Sequence, residues 1–184
     1  MKPTSKSAWN PVRLDVRAFA VAGQTLQGSD ELARFERLNA EAMSEVSPTS
    51  IVKWQCRGEI RSDQRGADVP WLHLSAEVEV PLSCQRCLGP VLEKLVVDRW
   101  FRFVADEATA ELEDDDSEED VLALEPRPDL LMLLEDELLM ALPLVPMHEE
   151  CPVAVPMNAG DLESGAEDVA PRENPFAQLA KLKK

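Results

Sequence analysis

Two short segments, Cys84-Gln-Arg-Cys87 and, far downstream, His148-Glu-Glu-Cys151, hold the residues best suited to chemistry in this chain. Thiolate sulfur and imidazole nitrogen are the donors zinc prefers, and a closed set of four protein ligands makes such a site structural. The spacing therefore predicts a Zn2+ site built from Cys84, Cys87, His148 and Cys151. The plain alternative is a pair of reduced thiols in a surface turn, with His148 and Cys151 trailing a helix. A redox disulfide fits less well. Oxidoreductases with this motif place the first Cys at a helix N-terminus, where the dipole acidifies the thiol, whereas Leu88-Gly89-Pro90 and a β-rich run follow Cys87.

Positioning these ligands needs a frame. Leu72, Leu74, Ala76, Val78 and Val80 share one face of a strand leading to Cys84, and a second β-rich run covers residues 91–104. A CxxC in the turn between them is a knuckle that offers both thiols to one ion. A third strand spans residues 51–62, with Val52, Trp54, Cys56 and Ile60 on one face and Lys53, Gln55, Arg57, Glu59 and Arg61 on the other. That period makes Cys56 a buried structural thiol. Leu14, Val16, Ala18 and Ala20 alternate as a further short strand, and residues 23–28 read as a turn. Ser29 or Asp30 caps a helix running to about residue 45, with Leu32, Phe35, Leu38 and Ala42 on one face and Ser47-Pro48 ending it.

Residues 121–124 add an edge strand, and Pro128-Asp129 opens a helix that stops before Pro143. Leu130, Leu131, Leu134, Leu138 and Leu142 form its buried face, leaving Asp136 and Glu137 to face outward or reach a neighbour. Pro143 and Pro146 then turn His148 and Cys151 back to the knuckle. The expected fold is α+β: an antiparallel meander packed by two helices, within one domain over residues 1–151.

Charge is divided along the chain. Residues 1–105 carry 14 Lys and Arg against 13 Asp and Glu, and residues 106–184 carry 5 against 22, which accounts for the net −16. Ten of those acids fall in residues 106–120 without one base. Such a block repels itself, so residues 105–120 are expected as a solvated, mobile loop. It serves either as a solubilising insertion or as a decoy or dock for a basic partner. Residues 152–173, rich in Pro, Gly and acids, are expected as a disordered linker. Asn174 and Pro175 then suit the start of a helix over residues 174–184, with Phe176 and Leu179 on one face. This segment is either a docking peptide or an inert tail.

Lys53, Arg57, Arg61 and Arg65 form a basic stripe on one strand face, which Arg86, Arg99 and Arg102 could extend. Sheet faces and zinc knuckles both meet RNA, although a solvated face partly neutralised by Glu59 and Asp63 explains the same residues. Any RNA contact must be local, because the whole molecule is repelled by phosphates. Hydrolytic chemistry is poorly served. His73 sits with Ser75, Glu77 and Glu79 on a polar strand face, and the consecutive Glu135, Asp136 and Glu137 diverge around a helix rather than converge on an ion. No phosphate loop or dinucleotide fingerprint is present. Residues 1–23 lack an apolar export core, and no apolar stretch is long enough to span a bilayer. A reducing, cytoplasmic setting is expected, where free thiols persist.

The ordered motifs Cys84-Gln-Arg-Cys87-Leu, Glu135-Asp-Glu-Leu-Leu-Met-Ala-Leu-Pro143-Leu-Val-Pro146-Met-His148, Cys151 and Asn174-Pro-Phe176-Ala-Gln-Leu179 resemble the YceD family, the large ribosomal RNA subunit accumulation proteins. The resemblance implies a cytoplasmic bacterial protein needed for accumulation of 23S ribosomal RNA through its synthesis, processing or stability, with no enzymatic activity. It implies as partners the precursor large subunit, 23S rRNA, or ribosomal and assembly proteins, with no membrane and no small-molecule substrate. It also marks Cys84, Arg86, Cys87, Glu135, Asp136, Glu137, His148, Cys151, Phe176 and Leu179 as functional positions. The rival reading is an enzyme, either a metal-dependent RNA-processing hydrolase or a CxxC oxidoreductase.

Overall fold

Three long stretches of alternating apolar and polar residues build the centre of the molecule. The computed structural model describes residues 9–43, 50–63 and 66–152. Its strands are β1 (Thr25–Glu31), β2 (Ile51–Ser62), β3 (Asp68–Ser83), β4 (Pro90–Val104) and β5 (Asp120–Ala123). They form one sheet in the order β1-β2-β3-β4-β5. The first three pairings are antiparallel, as a meander requires, but β4 and β5 run parallel. The sheet is therefore mixed. A parallel neighbour cannot be reached through a tight turn and needs a crossover, which the segment after β4 supplies.

The helices are α1 (Val16–Val21), α2 (Glu36–Glu41), α3 (Glu107–Asp114) and α4 (Leu130–Met140). Three of them, rather than two, feed one core: Val16 and Phe19 from α1, Leu38 from α2, and Leu130, Leu134 and Leu138 from α4 join Val52, Leu72, Leu74, Val80 and Phe101 of the sheet. The approach of α1 to β2 is close. A Cβ on Gly58 would lie 2.6 Å from the Phe19 ring and 2.9 Å from the Ala20 backbone, so only glycine lets the helix sit there.

Several local expectations are corrected. Residues 13–20 are not a strand: Asp15 caps α1 by accepting from the Ala18 N–H at 3.0 Å. Val16, Phe19 and Ala20, at helical spacing, face the core. Residues 25–31, read as turn and helix start, are β1, a polar edge strand in which only Leu26 is buried. Leu32, Phe35 and Leu38 are buried as expected, but on a 3-10 turn and the short α2 rather than one long helix. The acidic run expected as a loop contains α3, capped by Asp106, which accepts from the Thr109 N–H at 2.9 Å.

The expectations for β2, β3, β4 and the edge strand β5 are borne out. So is α4, where Asp129 accepts from the Leu131 and Met132 N–H groups. Among the described residues no helix is long and apolar enough to cross a membrane. Arg65, Ser47-Pro48, the expected linker over 152–173 (all but Pro152) and the expected helix over 174–184 with Phe176 and Leu179 lie outside the described residues.

Candidate metal centre and open sheet face

β3 and β4 pair up to Ser83 and Pro90, which leaves residues 84–89 as the tip of a hairpin. The Cys84 N–H donates to Gly89 O at 2.9 Å and the Leu88 N–H to Cys84 O at 2.8 Å. These bonds fold the tip into a tight knuckle. Its geometry puts Leu88 at φ 59°, the left-handed region, with the side chain 71% exposed.

The second pair arrives from the segment beyond α4. Pro146 O accepts from the Gln85 N–H at 2.9 Å. The Arg86 guanidinium donates to His148 O at 2.5 Å and to Glu149 O at 3.4 Å. With the segment clamped, Cys84 Sγ stands 3.9 Å from Cys151 Sγ and Cys87 Sγ stands 3.5 Å from His148 Nδ1. All four ligand atoms lie within 4.8 Å of one another. A tetrahedral ion with bonds of about 2.3 Å to sulfur needs ligand separations of about 3.8 Å, so the 3.9 and 3.5 Å separations suit a metal ion, and a spread of up to 4.8 Å would close by about 1 Å around one.

Histidine orientation supports the same fit. His148 Nε2 lies 2.9 Å from Pro90 O, and a carbonyl can only accept, so Nε2 carries the hydrogen. Nδ1 is then the atom turned to the sulfurs, an arrangement in which an outer hydrogen bond orients a ligand imidazole. Burial pushes the Cys84 thiol up, but the N–H groups of Cys87, His148 and Arg86 aim at its sulfur and outweigh that, holding it down at about 5. Cys151 is pushed up to about 11, first by burial and then by the neighbouring sulfurs. Cys56 stands apart, fully buried, with its thiol pushed up to about 12 by that burial.

A family model described as Large ribosomal RNA subunit accumulation protein YceD matches residues 72–183, more than half of the chain. The chain belongs to the YceD family. A YceD protein of Haemophilus influenzae, named Large ribosomal RNA subunit accumulation protein YceD, is 37% identical over 113 residues, covering 58% of this chain and 62% of that protein. The chain thus spans less than two thirds of that relative. No solved structure matches it. The YceD-matched segment contains both ligand pairs and begins within β3, so Lys53, Arg57 and Arg61 on β2 lie upstream of it.

The arginines proposed to extend the basic stripe divide between two faces. Lys53, Arg57 and Arg61 lie on the sheet face opposite the core that α1, α2 and α4 cover. Arg102 shares that face, but its side chain is 16% exposed and held by Glu113 and Glu119 at 2.5 and 2.7 Å. Arg99 lies on the other face, opposite Leu74, where it meets Asp120 at 3.0 Å and Glu137 at 3.5 Å. Arg86 spends its guanidinium on the metal-site loop.

Of the acidic trio on α4, Glu135 and Glu137 turn inward and Asp136 stays half exposed. Glu135 is buried and accepts from the Arg37 and Leu38 N–H groups at 2.8 and 3.2 Å, and from the Arg37 guanidinium at 3.0 Å. Asp136 takes a second Arg37 nitrogen at 2.6 Å. Burial pushes the Glu137 carboxyl up, opposed by Arg99. Sequence reading passed over Arg37, whose distant partners no local pattern reveals. It also left Trp71 and Trp100 without a role and His73 as part of a solvated face. The signal available was Trp71 and His73 at alternate positions of one strand.

Proposed function

We propose that this chain is a non-catalytic cytoplasmic factor supporting the accumulation of 23S rRNA during large-subunit biogenesis, with Zn2+ held by Cys84, Cys87, His148 and Cys151. The rRNA assignment rests on YceD membership and on the name of the Haemophilus relative. The observation that carries the non-catalytic reading is the closed ligand set: four protein donors converge on one point, which saturates a tetrahedral ion and leaves no position for a reacting water. Bound there, the ion supplies cross-linking. Cys84 and Cys87 would thereby be tied to His148 and Cys151, joining the β3–β4 hairpin to the segment after α4, and Arg86 and the Gln85–Pro146 hydrogen bond hold the same two pieces in register.

The partner surface in this reading is the β2 stripe of Lys53, Arg57 and Arg61, meeting the precursor large subunit, its rRNA or its proteins. Residues 152–173 act as a tether and Phe176 and Leu179 as a docking element. The test has two parts. Purified protein is expected to carry one zinc per chain, and Cys84→Ser with Cys87→Ser is expected to release it and lower thermal stability; unchanged metal content and stability would remove the zinc site. In cells lacking the chain, 23S rRNA is expected to fall relative to 16S rRNA and to recover on re-expression. Unaltered 23S levels would overturn the role.

A further inference from the structure

The open face of the sheet carries a structure that the basic stripe alone does not explain. Trp71 of β3 and Trp100 of β4 meet edge to face with centroids 6.3 Å apart. The Arg61 guanidinium from β2 lies over both rings, 4.2 Å from the first and 3.9 Å from the second. His73 stacks on Trp100 at 4.3 Å with the planes 18° apart, and Asp98 holds its Nε2. The stack of Arg61, Trp100 and His73 therefore ends on an imidazole. That imidazole forms part of the wall of a trough of about 810 Å³, lined also by Gln27, Ser29, Lys53, Gln55 and Ser75 and by the carboxylates Glu77 and Asp98.

We infer that this trough takes an unpaired base of single-stranded RNA, stacked on His73 as the next member of the series. The inference rests on the rRNA-linked reading above and names the form of RNA it involves. Three features select that ligand. A flat π-face continues a stack of flat groups, and base–aromatic stacking tolerates any base. Side-chain amides and hydroxyls of Gln27, Gln55, Ser29 and Ser75 offer both donors and acceptors, which match the edges of a splayed base. Lys53, Arg57 and Arg61 line the same face, where the backbone phosphates of that strand would run. Duplex RNA keeps its bases stacked on one another and cannot offer one to the trough.

Charge does not explain this face by itself. Glu59 pairs with both Arg57 and Arg61, and Glu77 pairs with Lys53 and Lys94. With Lys53, Arg57, Arg61 and Lys94 as the four exposed cations that could reach phosphate, the salt dependence of single-strand binding has a slope of magnitude about 3 or less. Affinity then depends on stacking.

The test is fluorescence anisotropy of a short labelled single-stranded RNA of mixed sequence, and of the same RNA annealed to its complement, titrated with the full chain. The expected result is binding of the single strand in clear preference to the duplex. His73→Ala is expected to weaken it about tenfold, the loss of one stacked base, while His73→Phe keeps it within about twofold because the ring face remains. Gln55→Glu, an exposed change that leaves the stack intact, adds a third carboxylate beside Glu77 and Asp98 and is expected to weaken binding as well. Equal affinity for single strand and duplex would overturn the inference, as would indifference to both His73→Ala and Gln55→Glu. Failure of the parent to bind single-stranded RNA, with 23S levels still dependent on the chain, would remove this site and leave the cellular role standing.

Discussion

Replacing Glu135 by Ala tests the central structural argument about the acidic residues of α4. The short helix α2 has no side-chain cap of its own, since Phe35 occupies the N-cap position. Its N-terminal donors are instead satisfied from another element, by Glu135 accepting from Arg37 and Leu38. Removing a cap costs about 1 kcal/mol, and leaving a buried N–H without an acceptor costs about 1–3 kcal/mol. The Arg37 side chain is 49% exposed, so solvent screens its ion pair with Glu135 and the backbone hydrogen bonds carry the effect. The expected loss for Glu135→Ala is thus about 2–4 kcal/mol of unfolding free energy. Glu135→Gln retains a carbonyl acceptor for the helix and should lose about 1 kcal/mol. Urea unfolding followed by tryptophan fluorescence measures both. A Glu135→Ala variant as stable as its parent would refute the capping argument and return this carboxylate to the pool of residues available to a partner.

Glu137 should respond in the opposite sense. Its carboxyl is pushed up by burial from an ordinary value of 4.5, so the folded protein holds that proton more tightly than the unfolded chain. Its ionised form therefore costs stability as pH rises through and above 4.5, and no cost remains once both states are protonated. Glu137→Gln is expected to raise the unfolding temperature at neutral pH, with the gain vanishing in acid. Equal gains at every pH would refute this account. At the knuckle tip, Leu88 holds a left-handed conformation with its side chain in solvent, so Leu88→Gly should be neutral or add up to about 1 kcal/mol; a large loss would mean the side chain has a contact of its own. Gly58→Ala should cost about 1–3 kcal/mol by driving a methyl into the α1 backbone, and chemical unfolding would detect its absence of effect.

The strands were legible because a half-buried strand writes its period into the sequence. Val52, Trp54 and Cys56 alternate with Lys53, Gln55 and Arg57 in both sequence and structure. The start of α4 was legible for a local reason too, since Asp129 satisfies the first N–H groups of its own helix. α1 was misread because Leu14, Val16, Ala18 and Ala20 imitate a strand, although Val16, Phe19 and Ala20 also carry a helical spacing. β1 was invisible: Thr25 to Glu31 is polar, and pairing with β2 rather than any local preference makes it a strand. α3 was hidden by its charge. Arg102 offsets Glu113 and Glu119 there, a compensation that depends on the neighbouring strand.

The same division holds for the site. Four donors of the right chemistry, in two pairs at metal-ligand spacing, are a property of the covalent chain. Their convergence within 4.8 Å is not. It follows from a hairpin tip and a post-helical segment being held together by Arg86, by Gln85 and by a shared core. Ligand type is local chemistry and survives in the sequence. Ligand geometry, the inward turn of Glu135 and Glu137, and the stack on the open sheet face depend on contacts between residues far apart along the chain, which only the folded chain assembles.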